Sequence, residues 1–142
     1  MITPVFSIGA IQGVINLVKN GYFNSGLTTS WQFVTCTGDA STKQLVVTAS
    51  GGSANVRQTL TTVTGKTYKA KISFIGKTTS KNLNFNIGTS STGSQLGTAV
   101  LSTAGDYTFN FVASGTTTYL SLVCSSTWIS GEQFTVDNIE VL

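Results

Sequence analysis

Residues Lys66 to Ile75, KTYKAKISFI, alternate with a period of two: Tyr68, Ala70, Ile72 and Phe74 fall on one face, Lys69, Lys71 and Ser73 on the other. A strand with this pattern buries one side and wets the other. The only proline, Pro4, precedes every such run, so nothing later in the chain breaks a ladder. After Lys19 no segment of adequate length carries a helical period. A chain restricted in this way has to bury its apolar surface between sheets.

The other runs repeat the theme. Trp31 to Cys36 sets Trp31, Phe33 and Thr35 against Val34 and Cys36. Gln44 to Ala49 and Val56 to Leu60 are separated by the turn SGGSAN. Asn82 to Ile87 points Leu83, Phe85 and Ile87 inward, and the polar stretch Gly88 to Gly97 follows. Short strands are expected at Ala99 to Leu101, Asp106 to Val112 (Tyr107, Phe109 and Phe111 on one face), Thr118 to Cys124 (Leu120, Leu122 and Cys124 aligned) and Glu132 to Leu142. About nine or ten strands at this spacing predict an all-β fold, a two-sheet antiparallel sandwich or jelly roll with a Phe, Ile, Leu and Val core.

At 142 residues the chain suits one domain. Charged residues make up 9% and aromatics 10% of it, a balance unlike that of disordered chains. Thr, Ser, Asn and Gly carry the polar load, the composition of strands joined by turns. The net charge of +3 sets eight basic residues against five acidic ones; five of the basic residues lie between Lys66 and Lys81, and one of the eight is an arginine. That is a solvated strand face, too weak a footprint for direct nucleic-acid binding. The absence of histidine removes Ser-His and Cys-His catalysis, and with only Cys36 and Cys124 it also removes a zinc site. The two cysteines read as small buried hydrophobes, and whether they pair is left open. The five acids, Asp39, Asp106, Glu132, Asp137 and Glu140, are scattered, whereas a glycosidase needs two carboxyls facing across a cleft. No enzyme is expected.

Residues Pro4 to Val18 carry no charge. No Lys or Arg precedes them, as a secretory signal would require, and they fall short of the roughly 20 apolar residues that span a bilayer. Residues 1–15 are therefore read as an apolar arm that packs on its own domain or on another subunit through Ile2, Val5, Phe6, Ile8 and Ile11. With Met1 taken as native, no export signal and no membrane span are expected.

The stretch Asn16 to Trp31, NLVKNGYFNSGLTTSW, resembles the opening of jelly-roll carbohydrate-binding modules of the CBM4/9/22 type, which run N-L-x-x-N-G-x-F-E-x-G and then a Trp. VRQTLTTVTGKTYKAKISF is similar to their Gln-bearing strand followed by V-x-x-G-x-x-Y-x-x-x-F, and FTVDNIEVL to their closing V-D-N-I strand. The resemblance covers residues 16–142 and implies the jelly-roll fold. Within it Asn20-Gly21 turns the chain, Phe23, Leu27 and Trp31 plug the core, Gly65 makes a tight turn, and Tyr68 and Phe74 anchor the inner face. It also implies a structural calcium ion, held by the acid after the motif Phe and the Asp of the last strand. Those positions are Asn24 and Asp137, so one charge is missing; the alternative role for Asp137 is a backbone acceptor in the clasp.

Two functions follow as expectations. Such domains recur among phage virion accessories, and an uncharged jelly roll with an apolar arm and no export signal fits that life. The leading expectation is a capsid cement, decoration or tail accessory protein, assembled in the host cytoplasm. It would bind neighbouring virion proteins or itself, as a trimer or other cyclic oligomer. The alternative is an extracellular module that recognises a glycan through Trp128, the polar row Asn82, Asn84 and Asn86, and Gln95. Trp128 has a second reading, as a core plug at a sheet end.

Overall fold

The alternating runs become ten strands, seen in a computed structural model that describes residues 15–142. They are β1 (Gln32–Val34), β2 (Cys36–Asp39), β3 (Leu45–Ala49), β4 (Asn55–Thr61), β5 (Thr67–Lys77), β6 (Leu83–Gly88), β7 (Gly97–Leu101), β8 (Gly105–Val112), β9 (Thr117–Cys124) and β10 (Gln133–Val141). There is no helix among the described residues. The strands form two five-stranded sheets, β1-β4-β9-β6-β7 (sheet A) and β2-β3-β10-β5-β8 (sheet B), and every pairing is antiparallel. The fold is the expected jelly-roll sandwich. The arm residues Ile2, Val5, Phe6, Ile8 and Ile11 lie outside the described residues.

The two inner faces meet in one core. Sheet B contributes Leu45, Val47, Tyr68, Ile72, Phe74, Val136 and Ile139, and sheet A contributes Val56, Leu60, Phe85, Ile87, Leu120 and Leu122, all buried. Each large side chain stabilises the fold by about 1.5–3 kcal/mol through the area it removes from water. Tyr68 stacks on Phe111 with ring centroids 5.6 Å apart, which ties β5 to β8. The Tyr68 hydroxyl accepts from the amide of Val63 at 2.9 Å, so its polar end is satisfied beside the turn at Gly65, where φ is +84°.

Two expectations need correction. Trp31 to Cys36 is not one strand. Thr35 has φ of +58°, and the chain turns there from β1 in sheet A to β2 in sheet B. Alternation reports which side chains are apolar, and it is blind to a corner at which the chain changes sheets. Leu27 is not a core plug either. It is 57% exposed, whereas Phe23 is fully buried and stacks 6.0 Å from Trp31.

The entry segment closes the sandwich through its amides. Asn16 accepts from the amides of Val18 and Val141 at 3.0 and 2.9 Å and donates to the carbonyl of Ile139 at 3.1 Å. The amide of Ile139 donates to the carbonyl of Gly21 at 3.0 Å. A Cβ on Gly21 would lie 2.1 Å from the Ile139 carbonyl oxygen, so only glycine fits at this crossing. Asn20 adopts φ of +54° and donates to the carbonyls of Leu27 and Thr29, and its own carbonyl accepts from the Trp31 indole at 3.1 Å. Gln58, reaching inward from β4, completes the clasp. It accepts from the amide of Lys19 at 2.7 Å and donates to the carbonyls of Lys19 and Ser30 at 2.9 and 3.2 Å.

Candidate functional site

The outer face of sheet A carries a polar row across its whole width, beside a row that contains Val34, Val123 and Val100. One cross-strand row reads Gln32, Arg57, Ser121, Asn86 and Thr98, taken from β1, β4, β9, β6 and β7 in turn. The next row sets Thr59 beside Tyr119, and Tyr119 beside Gly88. These side chains point away from the core because their strand neighbours Val56, Gln58, Leu120, Leu122, Phe85 and Ile87 point into it. Both buried side-chain atoms that lack a hydrogen-bond partner among the described residues, Oγ of Ser121 and Oδ1 of Asn55, belong to this face. Partnerless buried polar atoms are uncommon, and here they collect on one surface.

The loop at residues 89–96 folds back over that surface. Gly88 permits this, since a Cβ there would sit 2.3 Å from the carbonyl oxygen of Gly93. Gln95 accepts from the amide of Thr89 at 3.0 Å and donates to the hydroxyl of Ser90 at 3.4 Å. Asn86 accepts from the Thr98 hydroxyl at 2.6 Å and donates to the carbonyl of Thr92 at 3.4 Å. The loop thereby places Ser91 at the rim of a groove of about 360 Å³. Ser30, Trp31, Gln32, Arg57, Gln58, Thr59 and Tyr119 form the rest of its lining. Within it the Nε of Arg57 donates to Oε1 of Gln32 at 3.1 Å. Trp31 is 8% exposed and stacked on Phe23, so Tyr119, half-buried, is the aromatic ring the groove offers to a ligand.

The residues singled out in the sequence lie elsewhere or serve this loop. The surface reading of Trp128 is corrected. It is 2% exposed, its ring meets Phe134 edge-on at 6.0 Å, and its indole N–H donates to the carbonyl of Asn82 at 2.9 Å. An indole with an apolar contact and a satisfied N–H is most stable inside, as the core-plug reading has it. Glu132 closes its loop by accepting from the amide of Ile129 at 2.8 Å and from Lys81 at 3.0 Å. Those contacts, the Ile129 amide foremost, hold its carboxyl below the usual range. Asn82 is exposed just before β6, and Asn84 and Asn86 share the outer face of that strand. Asn86 and Gln95 brace the loop and do not line the groove. The lining residues Arg57, Thr59 and Tyr119 were within reach of sequence reasoning, because they occupy the polar alternates of VRQTLT and TYLSL. Ser30 and Ser91 carry no such signal.

Asn24 and Asp137 are the two side chains on which the calcium expectation rests. Calcium takes about six to eight oxygens. Asn24 is exposed in the entry loop, and Asp137 spends Oδ1 on the amide of Asn138 at 2.8 Å. No group of three or more acidic, cysteine or histidine side chains occurs among the described residues. Partial burial raises the Asp137 carboxyl above its ordinary range, a direction set by desolvation. Cys36 and Cys124 are both free thiols. Burial, the largest influence, pushes Cys124 up to about 12.

No protein-family profile and no curated protein matches the chain. Among solved structures it is similar to a CBM4 module (TM-score 0.59, 18% identity, covering 80% of this chain and 94% of that one). It is also similar to the apo CBM1 module of BiXyn10A (0.63, 16%, 89% and 96%). A third likeness is to the enzymatically active domain of tailspike protein 4 from bacteriophage CBA120 (0.62, 14%, 89%), of which this chain spans 21%. At these identities the likeness establishes the fold, a carbohydrate-binding-module-like jelly roll.

Proposed function

We propose that this chain is a non-catalytic glycan-binding jelly roll whose site is the groove on the outer face of sheet A. The observation that carries the reading is the combination of an accessible tyrosine with a polar lining in a groove of about 360 Å³. A sugar ring offers a C–H face that packs on an aromatic plane and hydroxyls that exchange hydrogen bonds with amides and hydroxyls. Tyr119 supplies the plane, and Gln32, Thr59, Ser30 and Ser91 supply the polar partners. No carboxylate lines the groove, so it offers neither an acid nor a nucleophile for glycosidic cleavage. The carbohydrate-binding modules among the structural neighbours support the same reading. Affinity electrophoresis through gels cast with soluble polysaccharides tests it. At least one polysaccharide should retard the wild type, and Tyr119→Ala should migrate freely while keeping its circular dichroism. Free migration of the wild type in every gel, or retardation unchanged in Tyr119→Ala, would sink the proposal.

A virion assembly role is the second reading. A groove of about 240 Å³ lined by Ile15, Leu17, Thr61, Val63, Lys66, Tyr68 and Leu142 favours it, because Ile15 is the residue at which the arm joins the domain in the sequence. Ile15 and Val63 are each 61% exposed. A similar fold also occurs within a phage tailspike structure. Light scattering after size exclusion, on the full chain and on one lacking residues 1–15, checks this reading. It expects an oligomer that dissociates on truncation, and an unchanged mass would count against it. No helix among the described residues is long and apolar enough to cross a membrane.

A further inference from the structure

We infer that the sheet A groove selects acidic glycans, with Arg57 as the group that grips a sugar carboxylate; the inference rests on the glycan-binding reading above. Arg57 is the chain's only arginine and the only charged side chain in the five strands of sheet A. It is half-buried in the groove. Its Nε is held by Gln32 at 3.1 Å, which fixes the plane of the guanidinium. Its two terminal nitrogens make no hydrogen bond to any described residue, and Arg57 takes part in no ion pair among them.

The acids are segregated from it. Asp39, Asp106, Asp137 and Glu140 all belong to strands of sheet B, and Glu132 is paired with Lys81. Residues 1–14 contain no Asp or Glu. The lysines of β5 are placed differently, with Lys71 directly opposite Glu140. A cation partly removed from water and given no counter-ion attracts an anion more strongly than an exposed one does. A planar guanidinium with a pinned Nε presents two parallel N–H donors, the geometry that matches a carboxylate. A neutral sugar would draw no advantage from the charge, whereas a uronate places its carboxylate on the same ring whose face Tyr119 can cover.

The test is affinity electrophoresis against polygalacturonate, alginate and glucuronoxylan, set beside neutral galactan, xylan and β-glucan, with dextran sulfate as a bare polyanion. An acidic glycan should retard the wild type more than any neutral one. Arg57→Gln should weaken that binding about ten- to a hundredfold, the loss expected for hydrogen bonds to a charged group. Arg57→Lys should fall between the two, since it keeps the charge and loses the fork. Lys69→Gln, on the opposite sheet, should bind as the wild type does. Three results would overturn the inference and leave the glycan reading standing: neutral glycans bound as tightly as acidic ones, binding abolished by Tyr119→Ala yet indifferent to Arg57→Gln, or Lys69→Gln as damaging as Arg57→Gln. Tight binding to dextran sulfate alone would reduce the effect to bare charge and overturn both readings. Migration unaffected by every glycan would also overturn both.

Discussion

Gln58 is the residue on which fold and groove both depend, and replacing it by leucine isolates its amide. Leucine has a similar volume and keeps the apolar contacts of the β4 inner face. It removes three hydrogen bonds, from the Lys19 amide at 2.7 Å and to the Lys19 and Ser30 carbonyls at 2.9 and 3.2 Å. At about 1 kcal/mol net for each bond, the loss is about 3 kcal/mol. For a domain of this size that lowers Tm by roughly 10 °C. Urea unfolding followed by tryptophan fluorescence, together with thermal circular dichroism, reads both quantities. Trp31, whose indole donates to Asn20 in the same clasp, makes the fluorescence sensitive to this region. Gln58→Glu adds a sign. Its carboxylate would face the two carbonyls that now accept from Nε2, so burial and like charge would raise its pKa above that of the unfolded chain. The variant should therefore be closest to wild type at acid pH and lose ground as pH rises through the folded-state value. A Gln58→Leu protein within 0.5 kcal/mol of wild type would refute the clasp argument, as would a Gln58→Glu deficit that does not grow with pH.

Three further outcomes are expected. Gly21→Ala brings a methyl group to 2.1 Å from the Ile139 carbonyl oxygen and must separate the entry segment from β10, so it should cost about 2 kcal/mol or more in urea unfolding. Cys124, pushed up to about 12 by burial, holds its proton in the folded state while the unfolded thiol ionises nearer 9. Stability from this group is therefore complete below about pH 9 and lost toward about pH 12, and Cys124→Ala should flatten that part of the stability profile relative to wild type. Calcium added to EDTA-treated protein should leave Tm unchanged, because one partly engaged carboxylate at Asp137 is a poor donor set; a rise of several degrees would restore Asp137 as a ligand.

What could be read from the chain follows from what a period of two encodes. Tyr68, Ile72 and Phe74 declared an inner face, and the same parity, applied to VRQTLT and TYLSL, would have placed Arg57, Thr59 and Tyr119 outside. Alternation carries no information on which strands become neighbours. The row from Gln32 through Arg57 and Ser121 to Asn86 and Thr98 joins residues as much as 89 positions apart between Gln32 and Ser121, and only the order of sheet A brings them together. Trp128 shows the opposite failure. A tryptophan in a polar loop has a surface and a core reading, and the carbonyl of Asn82 with the ring of Phe134 decided for the core.

The sequence by itself determined an all-β sandwich, the inward side chains and the clasp motif, because these depend on local periodicity and on turn chemistry near in the chain. The tertiary structure alone decided the corner at Thr35, the fold-back of residues 89–96 over sheet A, and the isolation of Arg57 from every carboxylate. Those features depend on which distant backbones lie side by side. Packing and hydrogen bonding across the whole fold set that, and no single segment records it.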